Sequence, residues 1–231
     1  MELAAAAGCC GLFIGIETTS AENLAAMDKP FNQSAAERVS RIRRAGIGVT
    51  AGMIVGLDND DVGVFRKTLD FLRQARIDAL QLSILTPLPG TPLFAEMRAA
   101  GRIVDCDWGH YDFRHVVFRP QRMTAGQLQA GADWTYSQFY RLDRVLWRFA
   151  RNLFTLRWVS AYLCLKLGLT YRYDNRRERI VGWDPAVSAG KDDQAPVLDP
   201  HVPDPGRQPE FLPVLGRIEE AAGDGTEGAR H

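Results

Sequence analysis

Three short segments carry the residues whose types and spacing could hold a polar, ring-bearing ligand. The first ends the apolar run FIGI at Glu17. A carboxylate there can accept hydrogen bonds from a diol or an ammonium group. It could equally cap a following helix through the Thr18 to Glu22 turn. Lys29, between Met27-Asp28 and Pro30, is a loop cation that could pair with a ligand carboxylate; a solvated lysine is the plain alternative. In the second segment Gly52, Ile54 and Gly56 belong to the run GMIVG. Glycines in or just after a strand mark close approach by a backbone, a ligand or a bulge. Core packing satisfies that rule, and so does a flat ring. The third segment ends at Leu85, Thr86 and Pro87, where a loop with three prolines in six residues forms a stiff rim.

Other chemistry-bearing groups are weaker. Asp58, Asn59, Asp60 and Asp61 lack the downstream Gly and Glu of a calcium loop, and are read as caps at the positive end of a helix. His110 and His115 are acid–base candidates, although an imidazole among aromatics is more often a hydrogen-bonded structural residue. Four cysteines, Cys9, Cys10, Cys106 and Cys164, are too few and too scattered for a disulfide framework. They are read as structural thiols, and no metal site is assigned.

The elements that must position these groups follow from periodicity. Residues 1–100 alternate Ile/Val/Leu runs with segments of helical period, the pattern of βα units with a parallel sheet. Gly11 to Thr18, Gly48 to Leu57 and Ala79 to Leu93 read as three consecutive strand-to-loop crossovers, and their β-branched runs as strands buried on both faces. Ser34 to Ala45 sets Val39 and Ile42 on one face and stops at Gly46. Asp61 to Ala75 repeats the pattern with Val64, Leu69 and Leu72. Only ten residues precede the first strand, fewer than the earlier strands of a barrel need. The expected fold is therefore α/β, the C-terminal half of a partial (β/α) barrel, with one edge unpaired and one sheet face partly uncovered.

Residues 101–179 are dense in aromatics and read as a mainly helical extension packed on the barrel. Thr124 is the expected N-cap of a helix running through Leu142, Val145, Leu146 and Phe149. From Arg141 to Arg179 there are ten basic and three acidic residues. Residues 180–231 hold ten acidic and four basic residues with much Pro and Gly, a composition whose burial does not offset ordering entropy. A disordered tail is expected there. With 28 basic and 28 acidic side chains overall, the chain gives no reason to invoke nucleic acid. No apolar run reaches the length of a membrane span, no leader-like signal opens the chain, and a reducing cytoplasm is the expected setting.

Taken together, GLFIGIET, MDKP, AGIGVTAGMIVGLDND and LSILTPLPGTPLF resemble the radical S-adenosylmethionine (radical SAM) enzymes, in the branch that carries a cobalamin-binding domain. WGHYDFRHVVFRPQRMTAGQL and FYRLDRVLWR resemble the helical C-terminal extension of a subset of them. The resemblance implies that Glu17 contacts the ribose or amino-acid portion of S-adenosylmethionine and that Lys29 faces its carboxylate. It also sets Gly52, Ile54 and Gly56 beside adenine, and Leu85, Thr86 and Pro87 at the end of the sixth strand. The implied cofactors are S-adenosylmethionine, a [4Fe–4S] cluster and cobalamin; the implied chemistry is radical attack on an unactivated carbon, with methyl transfer as one outcome.

The departure is the cluster loop, since the C-x3-C-x2-C triplet is absent and adjacent Cys9 and Cys10 cannot replace three convergent thiolates. The chain is expected to be inactive alone and to pair with an N-terminal half that supplies the cluster. A non-catalytic pocket module, or a peripheral membrane protein using Trp134 to Lys166 on a lipid surface or lipid substrate, are the alternative readings.

Overall fold

The computed structural model describes residues 1–27, 34–154 and 158–174. The expected acidic tail lies outside the described residues. In chain order the elements are α1 (Glu2–Ala6), β1 (Gly11–Glu17), α2 (Ala21–Ala26), α3 (Ala35–Arg44), β2 (Gly48–Val55), α4 (Val64–Gln74), β3 (Ala79–Ile84), α5 (Pro92–Ala99), α6 (Ala125–Phe139), α7 (Leu142–Phe154) and α8 (Trp158–Asp174).

The three strands form one parallel sheet in the order β1-β2-β3, as the βα periodicity requires. Among the described residues only one sheet face is buried, not both as expected. Val49, Ala51, Met53 and Val55 of β2 are buried with Phe65, Leu69 and Leu72 of α4 and Val39 of α3 in one core. On the opposite face Thr50, Gly52 and Ile54 are half-exposed, while Phe13 and Gln81 are exposed. The helices therefore cover one face, and among the described residues the other stays open.

The two edges of the sheet differ. Among the described residues no strand pairs with the outer edge of β1. The outer edge of β3 is closed by side chains of the extension. The Tyr140 hydroxyl accepts from Leu80 N (2.9 Å) and donates to Leu80 O (2.8 Å). Tyr136 does the same at Leu82, at 2.8 and 2.9 Å. One helical turn of α6 spans two residues of β3, so stacked rings four apart reach alternate residues of the strand. Below them Cys164 Sγ donates to Asp78 O; above them Ile84 N donates to Phe113 O.

Glycine permits the close approach of α6: a Cβ at Gly131 would lie 2.1 Å from the Phe65 ring of α4. Thr124 caps α6 in a full capping box with Gln127, as its sequence predicts. The single helix expected through Phe149 is instead two, divided at Tyr140 and Arg141. Arg148 of α7 folds back and donates to Phe139 O at the end of α6 (2.8 Å), its guanidinium 4.1 Å from the Phe139 ring centre. That side chain replaces the next turn of helix as partner of the carbonyl.

At the N-terminal end of β3, buried Asp78 accepts from Val49 N, Asn152, Arg151 and Arg43. Burial alone would raise its carboxyl, but Arg43, Asn152 and the Val49 amide hold it below the ordinary carboxylate range. One acid thus ties β2, α3 and α7 together.

Replacing Tyr136 or Tyr140 with Phe keeps the ring and strands a backbone N–H and C=O on β3. Each variant is expected to lose about 1–3 kcal/mol in urea denaturation, the Tyr140 variant more because its hydroxyl is the more deeply buried. Stability unchanged in both would show that water satisfies this edge.

Candidate functional site

Parallel strands bring the ends of β1, β2 and β3 to one side, where ligands of α/β sheets bind. Glu17 closes β1 with φ of 70°, in the region that non-glycine residues seldom enter. Thr18 N donates to Ile16 O, so Glu17 is the centre of a γ-turn, the uncommon strained form. The pairing with β2 slips here, from Gly15 opposite Gly52 to Glu17 opposite Met53. Glu17 does not cap α2; Ser20 does, accepting from Asn23 N.

The strained turn folds the Glu17 carboxylate back over the strand. A Cβ at Gly15 would sit 2.7 Å from Glu17 Oε1. A Cβ at Gly52 would sit 2.8 Å from the Phe13 ring. Paired Gly15 and Gly52 thus form a bare strip of backbone on the open face, with the Phe13 ring over one glycine and a carboxylate over the other. Ile54 lies further along the same half-exposed face. Gly56 has a different reason to lack a side chain. At φ of 91° its Cβ would meet Leu128 at 2.7 Å and Phe118 at 3.5 Å, both from the extension. Leu85 continues the ladder through Val55 O. Thr86 is buried and donates to Ile84 O (3.0 Å), and Pro87 beside it is buried too. Lys29 lies outside the described residues.

The acid-rich loop after β2 is a set of anchors more than a helix cap. Asp58 takes a two-pronged contact from Arg102 (2.6 and 3.2 Å), and Asn59 receives Arg122. Only Asp61 serves the start of α4, accepting from Gly63 N. Asp60, 3% exposed, accepts from Gly56 N and Leu57 N (3.0 Å each) and from Asn23 Nδ2 (2.7 Å). It fixes the turn after β2 to α2, on the wall of a polar cavity of about 420 Å³ between the loops following β1 and β2. Burial pushes its carboxyl up to about 6, outweighing the three donors that favour the charged form.

At the far side of the site, the loop between the Ile103–Phe118 bridge carries two acid–imidazole pairs. His110 Nδ1 lies 2.6 Å from Asp105, and His115 Nδ1 lies 3.0 Å from Asp112. The rings are 4.9 Å apart. The hydrogen bond to Asp105 raises the affinity of His110 for its proton. Asp105 lies below the ordinary carboxylate range because the Asp107 amide and His110 outweigh partial burial. Both histidines are thus hydrogen-bonded, as the structural reading expects, and they remain on the surface.

The cysteines do not converge. Cys9 Sγ contacts Gly11 O, and Cys164 is buried against Asp78 with its thiol pushed up to about 12 by burial and that acid. Partial burial and Asp105 push the Cys106 thiol up as well. Among the described residues no group of three or more metal-ligating side chains comes together. These residues do not fit an iron–sulfur cluster. Sequence reasoning passed over Phe13 and Gly15, although strand alternation places both on the face of Gly52. It also gave Asp60 no individual role, because its partner Asn23 is 37 residues away.

The folded Asp60 binds its proton more tightly than an unfolded aspartate, so its contribution to stability falls as pH rises from about 4 through 6. Asp60→Asn keeps an acceptor for both amides and, with Asn23 turned over, a donor for its neighbour. The variant is expected to gain about 1–3 kcal/mol at pH 7 and to lose this pH dependence in denaturation series. A loss of stability at pH 7 would show that the charge itself holds the turn.

No protein-family profile matches the chain. It is similar to a bacteriochlorophyllide d C-12(1)-methyltransferase of Chlorobaculum tepidum, 34% identical over 149 residues, which is 64% of this chain and 31% of that enzyme. It is 37% identical over 109 residues to a hopanoid C-2 methylase of Rhodopseudomonas palustris, covering 46% of this chain and 21% of the methylase. It is 31% identical over 163 residues to an anaerobic magnesium-protoporphyrin IX monomethyl ester cyclase of Cereibacter sphaeroides, covering 68% of this chain and 24% of the cyclase. The matched stretch spans between a fifth and a third of these relatives.

Proposed function

We propose that this chain forms the C-terminal part of the catalytic barrel of a radical SAM enzyme. Its reaction, in this reading, is methyl transfer to, or ring closure on, a large lipophilic substrate. The observation that carries the reading is the open sheet face, where Glu17 is held in a strained turn over the bare Gly15–Gly52 strip. Backbone strain of this kind collects at ligand sites. The relatives' names, two methyl-transferring enzymes and one cyclase, supply the reaction class.

S-adenosylmethionine would supply the organic radical or the methyl group. The residues of this chain bind and orient it. Glu17 accepts hydrogen bonds from a diol or ammonium, the bare strip admits a flat ring once Phe13 swings aside, and Ile54 gives that ring an apolar edge. Buried Thr86 and Pro87 hold the end of β3 in place. The cysteines do not fit the cluster, so no step through it is assigned to this chain; its ligands belong to a preceding half-barrel pairing with the outer edge of β1. No described residue is assigned to cobalamin. The same misfit favours, as a second reading, a pocket module that binds S-adenosylmethionine without catalysis.

Calorimetry on the full chain tests the pocket. Glu17→Gln is expected to weaken S-adenosylmethionine binding about tenfold, or 1.4 kcal/mol, without lowering thermal stability. No heat at millimolar ligand, for the chain alone and for the chain co-expressed with a half-barrel bearing C-x3-C-x2-C, would reject both readings. Cleavage of S-adenosylmethionine only in the co-expressed pair would select the enzyme over the module.

A further inference from the structure

A second cluster lies on the other side of the sheet, away from Glu17. Between α4, α6 and α7 is a cavity of about 180 Å³ lined by Arg73, Arg76, Arg144, Arg148 and Arg151, with no carboxylate in its lining. That is smaller than the roughly 300–1,000 Å³ of drug-sized pockets and suits one compact anion. A shallower hollow of about 550 Å³ shares Arg76 and Arg151 and adds Arg43 and Arg44.

Some of this charge is already spent. Arg43 and Arg151 pair with Asp78, and Arg73 and Arg144 make exposed 3.6 Å contacts to Asp70 and Asp143, which bind weakly in water. Arginines near helix C-termini also favour the dipole. Arg148 is different. It is 6% exposed, and only Nη1 has a hydrogen-bond acceptor, Phe139 O. Its Nε and Nη2 are buried without a partner. Those two nitrogens form one edge of the guanidinium fork, the edge that takes two oxygens of a phosphate or carboxylate side by side. A buried guanidinium left half-satisfied is costly, and burial accordingly weakens its hold on its proton.

Beside the cavity the surface turns apolar. Leu146, Trp147 and Phe154 of α7 are exposed, Phe154 at 86%. They share a face with Ala150, and Trp147 reaches the cavity wall. On α8, Trp158, Tyr162 and Leu169 are exposed in the same way, with Lys166 leaning over the Tyr162 ring. On α7, aromatics on one face bordered by arginines are the pattern of a helix lying in a lipid interface; α8 has no such division into faces, because Lys166 lies within its exposed row. No helix among the described residues is long and apolar enough to cross a membrane.

We propose that the arginine cavity receives the phosphate headgroup of an anionic phospholipid, with α7 resting on the membrane that carries it. The headgroup oxygens dock on the Nε–Nη2 edge of Arg148, admitted by rotation of exposed Arg144 and Trp147. Arg73 and Arg76 face the remaining charge. The aromatic stripe enters the interface and orients the open sheet face independently of what that face binds.

Cosedimentation of the full chain with phosphatidylcholine vesicles, with and without phosphatidylglycerol, tests this. Binding is expected on the anionic vesicles only, and to weaken with salt. The surface variant Arg76→Gln/Arg144→Gln is expected to lose roughly tenfold or more, and Arg148→Met at least as much if it folds. Phe154→Ala, on the exposed stripe and outside the cavity lining, should weaken vesicle binding while leaving calorimetric binding of glycerol 1-phosphate unchanged. Absence of vesicle binding, equal binding to both vesicles, or unaltered binding by the Arg76/Arg144 variant would overturn the proposal. Binding of glycerol 1-phosphate without vesicle binding would overturn the lipid as its source. S-adenosylmethionine calorimetry on the same variants separates failure here from failure at Glu17.

Discussion

The structure depends on how β3 ends the sheet. A strand edge presents N–H and C=O groups that must be paired or wetted. Here two tyrosine hydroxyls each act as donor and acceptor to a single residue, at Leu80 and Leu82. A hydroxyl satisfies both needs with one atom. That contact fixes the height and rotation of α6 against the strand. It also forbids another strand on that side, so any further strand must join at β1.

The site inherits its geometry from that asymmetry. Because α6 is registered to β3, Leu128 reaches Gly56 and Phe65 reaches Gly131, which sets where the chain turns after β2. Arg102 then clamps Asp58 from the extension side, while Asp60 clamps the same turn to α2. The loop is thus held from two directions by elements far apart in sequence. The open face carries none of this fastening, and its glycines stay bare.

The three strands and helices α3 and α4 were legible because each buries one periodic face: Val39 with Ile42, and Val64 with Leu69 and Leu72. Thr124 was legible because a capping box is local. What could not be read was long-range. The break between α6 and α7 depends on Arg148 reaching Phe139 O across nine residues, and nothing local at Tyr140 marks it. The same limit applies to Glu17. Its place at the end of a strand follows from FIGI, whereas its left-handed backbone follows from a slip in pairing with β2. Uniform burial of the strands was the wrong inference, because runs rich in Ile and Val in β1 and β2 do not reveal that Phe13 and Thr50 meet no second layer.

Asp60 and Asp78 show why residue type alone does not fix chemical state. Both are buried and both accept from backbone amides. Asp78 also meets two guanidinium groups, so the carboxylate stays charged and holds β2, α3 and α7 in one network. Asp60 meets only neutral donors, and its charge is therefore expensive enough to bring its titration to about 6. The network at the base of the sheet is insensitive to mild acid, whereas the turn at the opposite end, after β2, is not. Arg148 is the counterpart in cations: its neighbours are rings and a carbonyl, and two of its three nitrogens are buried without an acceptor. Asp60, Asp78 and Arg148 are thus each defined by the partners they meet, and Arg148, hydrogen-bonded through Nη1 alone, is the least satisfied of the three.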